Sequence, residues 1–245
     1  MTTAATPRRG PGRPRGGISG QTRDLALDVA ARLFGASGYR GTSLADVAQA
    51  AGLSNAGLLH HFPSKQQLLI EVLRRRDEVD RAAMRFAQTN NTTDETVWDQ
   101  LDSLVELART NSERPGMVKL YTTVSGEAID ADHPAHGWLR EHLSAAIEEL
   151  FDAFETGKVL GIVRPEAPSA SLARSTIALL DGLQIQWLAA RGRADGTPAD
   201  PSAGSSESPP PAQTIDIYEM GRDVKVFVDG LHTLWQLPAP ADPGS

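Results

Sequence analysis

LADVAQAAGLSNAGLLHHF, the stretch from Leu44 to Phe62, reads as a helix, a glycine turn and a second helix at the spacing of a helix-turn-helix. Counting Leu44 as position one, small Ala48 stands fifth and Gly52 ninth, with apolar Val47, Ala51, Leu53 and Leu58 at positions four, eight, ten and fifteen. Each is a steric requirement. The fifth residue faces the partner helix at closest approach, and the ninth bends the chain with a φ that glycine adopts without strain. The four apolar residues form the wedge that sets the angle between the helices. That leaves the polar face of the second helix free for a DNA major groove.

The flanks extend this reading. Thr22 to Ser37 places Leu25, Val29, Ala30, Leu33 and Phe34 on one face, opens with a Thr able to cap and ends at Gly38, which predicts a first helix. After the hairpin comes FPSKQQLL, where Ser64 followed by Gln67 has the capping-box spacing ahead of an apolar run. A fourth helix is expected to begin there.

The order helix, GYRGTSLADVAQAAGLS, a short helix ending LLHHF, then PSKQQLL resembles the N-terminal DNA-binding domain of TetR-family (TetR/AcrR-like) transcriptional regulators over roughly residues 22 to 73. The resemblance implies that the short third helix contacts bases and that phosphates are gripped by Thr42, Ser43, His60 and Lys65. Ser54, Asn55 and Gly57 would line the groove face. Where many members place a Tyr before the paired aromatic or His residues, this chain has Leu59, and Gly57 replaces the commoner Ala or Thr. Gly57 lowers helix propensity by nearly 1 kcal/mol relative to Ala, so Leu58 and Phe62 packing must hold that helix.

Charge is distributed unevenly along the 245 residues. The net charge is −7, yet residues 1 to 76 hold eleven basic residues against four acidic ones. Of 24 basic and 31 acidic residues in all, 13 and 27 remain for the rest of the chain. A basic head on an acidic body orients a molecule on a polyanion. The length allows one small and one medium domain with a real core. No apolar run approaches the ~20 residues that span a bilayer, and no apolar secretory signal precedes the first helix. With no cysteine there is neither a disulfide framework nor a thiolate metal site, which suits a cytoplasmic, nucleoid-associated protein.

Residues 1–20 form a basic Pro/Gly-rich tail, expected to be disordered alone because it has almost nothing apolar to bury. Its Gly12-Arg13-Pro14-Arg15 resembles an AT-hook, whose arginines would follow the narrow A·T-rich minor groove; the plainer reading is a leader adding nonspecific charge. Beyond Arg76 the pattern is helical, with segments expected near 64–88, 94–112, 115–130, 135–156, 168–191 and 213–236, and Gly157 among the separators. The composition of 192–212 predicts a flexible loop, and 238–245 a disordered tail. The fold class is all-α: a helix-turn-helix domain over 21–66, then a helical ligand-binding and dimerisation domain over 67–237.

The resemblance implies a homodimer joined by the last two helices, with Leu183, Trp187, Val224, Phe227 and Leu231 as interface candidates; ordinary core is the competing reading for all five. It also implies an unknown small-molecule effector inside the helical body. Candidates to line its site are Trp98, Met117, Tyr121, Trp138 and Gln184, amphipathic or adaptable side chains on segments expected to face inward. Asp130, Asp132, His133 and His136 offer metal-type donors, but Pro134 breaks the helix that an i, i+3 His pair would need, so turn and capping roles are expected, with no metal and no cofactor. An enzyme is not expected: there is no Cys nucleophile, P-loop, GxGxxG or GxSxG. The expected function is a ligand-responsive repressor that binds double-stranded DNA at a palindromic operator, with a ligand-independent architectural DNA-binding protein as the alternative.

Overall fold

A computed structural model describes residues 15–88, 96–194 and 219–237. Among them nine helices follow in order: α1 (Arg15–Ser37), α2 (Leu44–Ala50), α3 (Asn55–His61), α4 (Lys65–Gln88), α5 (Val97–Ser112), α6 (Pro115–Glu127), α7 (His136–Val159), α8 (Ser169–Ala194) and α9 (Met220–Trp235). The fold is all-α. One isolated antiparallel bridge, Val163 to Gln236, pins the end of α9 to the α7–α8 connection. None of the described helices is long and apolar enough to cross a membrane.

Local chemistry accounts for the ends of the reading head. Gly38 and Gly52 adopt φ of +70° and +67°, the left-handed conformation that ends α1 and turns the chain between α2 and α3. Ser43 and Asp46 form a reciprocal capping box at the start of α2. Ser54 Oγ accepts the Gly57 N–H at 3.0 Å to cap α3, and Ser64 Oγ accepts the Gln67 N–H at 3.1 Å to cap α4.

Two apolar cores result. The first joins Ala26, Ala30 and Phe34 of α1 to Val47, Ala48, Leu58 and Phe62 of the hairpin. It also takes in Leu68, Leu69, Val72 and Leu73 of α4 and Leu120 and Val124 of α6. The second fills the body with Trp98, Leu101 and Val105 of α5, Phe154 of α7, Trp187 of α8, and Val224, Val228 and Leu231 of α9. Val118 of α6 joins this second core and Met84 of α4 packs against it, so α4 and α6 belong to both halves. At the α1–α6 crossing a Cβ on Gly35 would meet the Leu120 backbone nitrogen at 3.0 Å, so glycine sets how near the helices lie.

Several expectations change here. Helix α1 begins at Arg15, so Thr22 lies inside it rather than at its cap, and the tail assigned to residues 1–20 gives way to helix five residues before its end. Leu25 is exposed, the inward places being taken by Ala26 and Leu27. Gly157 does not end α7, which continues to Val159; a Cβ there would meet Val163 Cγ2 at 2.6 Å, so the glycine serves packing and not a break. Helix α8 runs to Ala194, past the expected loop boundary. Most of the 192–212 loop, all of 238–245 and the Arg13 minor-groove assignment lie outside the described residues.

Candidate nucleic-acid interface and ligand cavity

The hairpin divides its residues cleanly. Val47, Ala48 and Leu58 are buried, whereas Ser54, Asn55, Ala56, Leu59 and His60 are exposed along one side of α3 and Gly57 is half-buried. Ser43 is exposed, but its hydroxyl is engaged with Asp46, accepting its N–H and donating to its carboxylate at 2.7 Å. This keeps Asp46 ionised below the usual carboxylate range through the side-chain and backbone hydrogen bonds from Ser43. Lys65 holds its ammonium 4.3 Å from the centre of the Tyr39 ring, a cation–π contact that aims the charge beside α3. Tyr39 was not singled out from the sequence; an aromatic two residues after a helix end, beside the basic Arg40, was the available signal.

Thr42 is the correction. It is only 3% exposed, and its hydroxyl donates to the Gly38 carbonyl at 2.9 Å and to the Leu33 carbonyl at 3.1 Å. A side chain with its donor turned inward secures the end of α1 and is withdrawn from the phosphate-gripping set. Arg15 stands at the first position of α1.

Behind the head, α4, α5, α6, α7 and α8 line a half-open cavity of about 390 Å³. Tyr121, Trp138 and Gln184 all line it. Trp98 and Met117 do not. Trp98 lies with its ring centre 4.3 Å from that of His232, tilted by 37°, and meets Phe154 edge-on within the body core, and Met117 packs against the head core. Both were expected inward, and both are inward; the helix face they occupy points to a different neighbour.

The cavity also holds a charged cluster that was not among the residues expected there. Arg76 lies 3.2 Å from Asp77 and 3.0 Å from Asp80, all three nearly buried, with its guanidinium 4.2 Å from the Tyr121 ring centre. Asp77 accepts the Trp138 indole N–H at 2.9 Å and lies 3.4 Å from His142. Tyr121 donates its hydroxyl to Asp181 at 3.0 Å. Burial works against ionisation of Asp77, but the contacts with His142, Trp138 and Arg76 outweigh it and hold its titration low. Burial raises Asp80 and Asp181, with Arg76 and the Tyr121 hydroxyl only partly offsetting it. A signal did exist. Leu69, Leu73, Asp77, Asp80 and Met84 follow one helical stripe, so two carboxylates occupy positions that apolar residues hold elsewhere on α4.

The end of α6 meets the head. Glu127 accepts the Tyr39 backbone N–H at 2.7 Å, Arg40 lies 3.4 Å from Asp130, and the Thr123 hydroxyl donates to the Gly35 carbonyl at 3.3 Å. Buried His133 accepts the Ala135 N–H on Nδ1 at 3.2 Å and lies 3.5 Å from Glu127. His136 Nδ1 is 2.9 Å from the Ala128 carbonyl, and Asp130 accepts the Asp132 N–H. These are turn and packing roles. Among the described residues no group of three or more His, Asp or Glu is arranged to hold a metal.

The five residues expected at a dimer interface occupy two kinds of position. Trp187, Val224 and Leu231 are buried against their own chain, while Leu183 and Phe227 are half-buried. The large apolar side chains that α8 and α9 expose are Ile185, Val226 and Leu234, at 59%, 67% and 61% exposure.

Comparison with known proteins is consistent with this arrangement. The description "bacterial regulatory proteins, tetR family" matches residues 26–72. The repressor KstR2 of Rhodococcus jostii is 33% identical over 119 residues, 49% of this chain and 48% of that protein; KstR2 of Mycolicibacterium smegmatis is 40% identical over 70 residues, 33% of its length. The match thus spans less than half of either repressor. The regulator BetI of Agrobacterium fabrum is 29% identical over 193 residues, 71% of this chain and 80% of that protein. Among solved structures, a TetR regulator from Chloroflexus aurantiacus superposes with a TM-score of 0.65 at 19% identity, covering 90% of this chain and 99% of that one. A regulator from Saccharomonospora viridis in complex with choline gives 0.61 at 22% identity, covering 89% and 100%.

Proposed function

Because the chain belongs to the tetR family of bacterial regulatory proteins, we propose that it is a ligand-responsive transcriptional repressor acting as a dimer on a palindromic operator. The observation that carries this reading is the double membership of α4 and α6. Both line the cavity, through Asp77, Asp80 and Tyr121, and both supply the core of the reading head, through Leu68, Leu69, Leu120 and Val124. A side chain displaced in the cavity cannot move without moving the surface on which α1 to α3 rest.

In the reading, Ser54, Asn55 and Gly57 face the major groove, while Ser43, His60 and Lys65 contact phosphate. Arg13 and Arg15 would add minor-groove or nonspecific charge contacts. Two copies meet through the outward stripe of α8 and α9, where Gly182 and Gly230 beside Ile185 and Val226 let helices approach closely. Ligand in the cavity presses Tyr121, and α6 transmits the shift less than two turns further on through Glu127 to Tyr39. The two heads then fall out of register with successive grooves.

Footprinting the purified chain on DNA flanking its gene tests this. One protected palindrome, with half-sites about one helical turn apart, is the expected result. Diffuse protection that follows charge alone would replace this reading with the architectural one.

A further inference from the structure

Taking the ligand-responsive reading as its premise, we propose that the cavity accepts an organic cation: an amine whose ammonium is held by Asp80, Asp181 and Gln184 while its apolar part lies on Leu104, Leu107, Ile177 and Leu180. The charge balance points this way first. Three carboxylates, Asp77, Asp80 and Asp181, face one buried guanidinium, that of Arg76, and the His142 imidazole beside Asp77, so one carboxylate stays unmatched even when that imidazole is charged. At the rim, exposed Arg74 and Arg81 match exposed Glu141 and Glu149, so they do not correct the deficit inside. An unmatched carboxylate in a partly dehydrated site is costly, and a ligand that brings the missing positive charge recovers that cost on binding.

The hydrogen-bond inventory points to the same end of the molecule. Asp77 has its partners in Arg76, Trp138 and His142. Asp80 has Arg76, and Asp181 has only the neutral Tyr121 hydroxyl among the described contacts. Gln184 lines the same cavity and a smaller one beside Leu183 and Met220, is 9% exposed, and its buried Oε1 has no hydrogen-bond partner among the described residues. A buried acceptor left open is rare and calls for a donor. Three acceptors with spare lone pairs suit an ammonium, which offers N–H groups and charge together.

An anion finds no such reception. Arg76 is already committed to Asp77 and Asp80 and is covered by the Tyr121 ring. A neutral apolar molecule would fit the Leu104, Leu107, Ile177 and Leu180 wall but would leave Asp181 and Gln184 unmet. The volume, about 390 Å³, lies at the small end of ligand sites. A compact amine with a short apolar body meets all these conditions.

Three probes of one shape and different charge test the idea on the full chain: phenethylamine, 2-phenylethanol and 3-phenylpropanoate, with binding followed by calorimetry and thermal shift. The amine is expected to bind about tenfold to hundredfold more tightly than the alcohol, the value of hydrogen bonds to a charged donor, and the propanoate not at all. Asp181→Asn should erase the gap between amine and alcohol while the unliganded melting temperature and DNA affinity hold; Asp80→Asn, which also breaks the buried pair with Arg76, should erase the gap at a lower melting temperature. Equal or tighter binding of the alcohol or propanoate, an amine preference that survives both variants, or binding of none of the three overturns the proposal. DNA affinity is read in the same samples. Amine binding without release of the operator would sink the switching role but keep the ligand class, whereas release by the neutral or anionic probe would do the reverse.

Discussion

A carboxylate placed on the outward stripe of α8 and α9 is expected to split the dimer and leave the protomer folded. Full burial of an aliphatic side chain is worth about 1.5 to 3 kcal/mol. Val226 is 67% exposed and Ile185 59%, so covering what remains contributes roughly 1 to 2 kcal/mol for each. Two-fold symmetry doubles every contact, so Val226→Asp forgoes roughly 2 to 4 kcal/mol of burial per dimer. It also sets two unpaired carboxylates against an apolar surface, which costs more again. The dissociation constant should rise by about a hundredfold at least.

Sedimentation of Val226→Asp and Ile185→Asp at micromolar concentration, with melting measured alongside, reads both parts. Monomers with an intact helical melt are expected, together with loss of binding to the palindrome because one head cannot engage two half-sites. The contrast is Val224→Asp. That residue is 1% exposed within its own chain, so the same charge there should unfold the body before it disturbs any interface. A Val226→Asp protein that remains a dimer and still holds its palindrome would show that the two-fold contact lies on another face.

Replacing Asn55 with Ala should reduce discrimination among operator bases by about 1 to 3 kcal/mol, whereas Lys65→Ala should weaken all sequences alike and lower the salt slope by about one phosphate; competition assays at several salt concentrations separate the two. Thr42→Val keeps the shape but removes the hydroxyl that donates to Gly38 and Leu33, so stability should fall by about 1 kcal/mol with an unchanged salt slope; a changed slope would return Thr42 to the DNA surface. His133 titrates below its ordinary value of 6.5 because burial disfavours its charged form, with Arg40 acting in the same direction and Glu127 and Asp130 opposing it. The unfolded chain therefore takes up the proton first as pH falls, so this stability is present above about 6.5 and lost on acidification towards the lower folded value. Melting at pH 7.5 and 5.5 should show a difference that shrinks in His133→Gln; an equal difference in both proteins would place the acid sensitivity elsewhere.

What could be read in the sequence was whatever depends on near neighbours along the chain. Gly38 and Gly52 announce themselves because only glycine takes their φ easily, and Ser64 because its partner Gln67 stands three residues away. The stripe of the hairpin, Val47, Ala48 and Leu58, follows helical spacing and is buried as such. Choosing between two faces of one helix is a different matter. On α9 both Val224, Val228, Leu231 and Val226, Leu234 recur at helical intervals, and only packing against α5 and α8 shows the first set to be core. Thr42 illustrates the same limit at a single residue, since a hydroxyl at a helix-opening position serves a phosphate or a carbonyl according to which way it turns. Gly157 was misread because a glycine that admits Val163 looks, in sequence, like one that ends a helix.

The boundary between head and body follows from this as well. A division at residue 66 falls two residues before Leu68 and Leu69, which are fully buried in the core shared with Phe34, Leu58 and Phe62. The three helices of the head enclose too little apolar surface to be closed by themselves, and α4 and α6 complete it. The part of the chain that would meet a ligand is therefore also part of the part that would meet DNA. Tyr121 reaches into the cavity one residue after Leu120 packs against Gly35 of α1, and Glu127 binds the Tyr39 N–H less than two turns further along the same helix. No long pathway of contacts is required for a signal to pass. A close-packed helix held at both ends, by glycine contact at one and a charged hydrogen bond at the other, shifts as a unit.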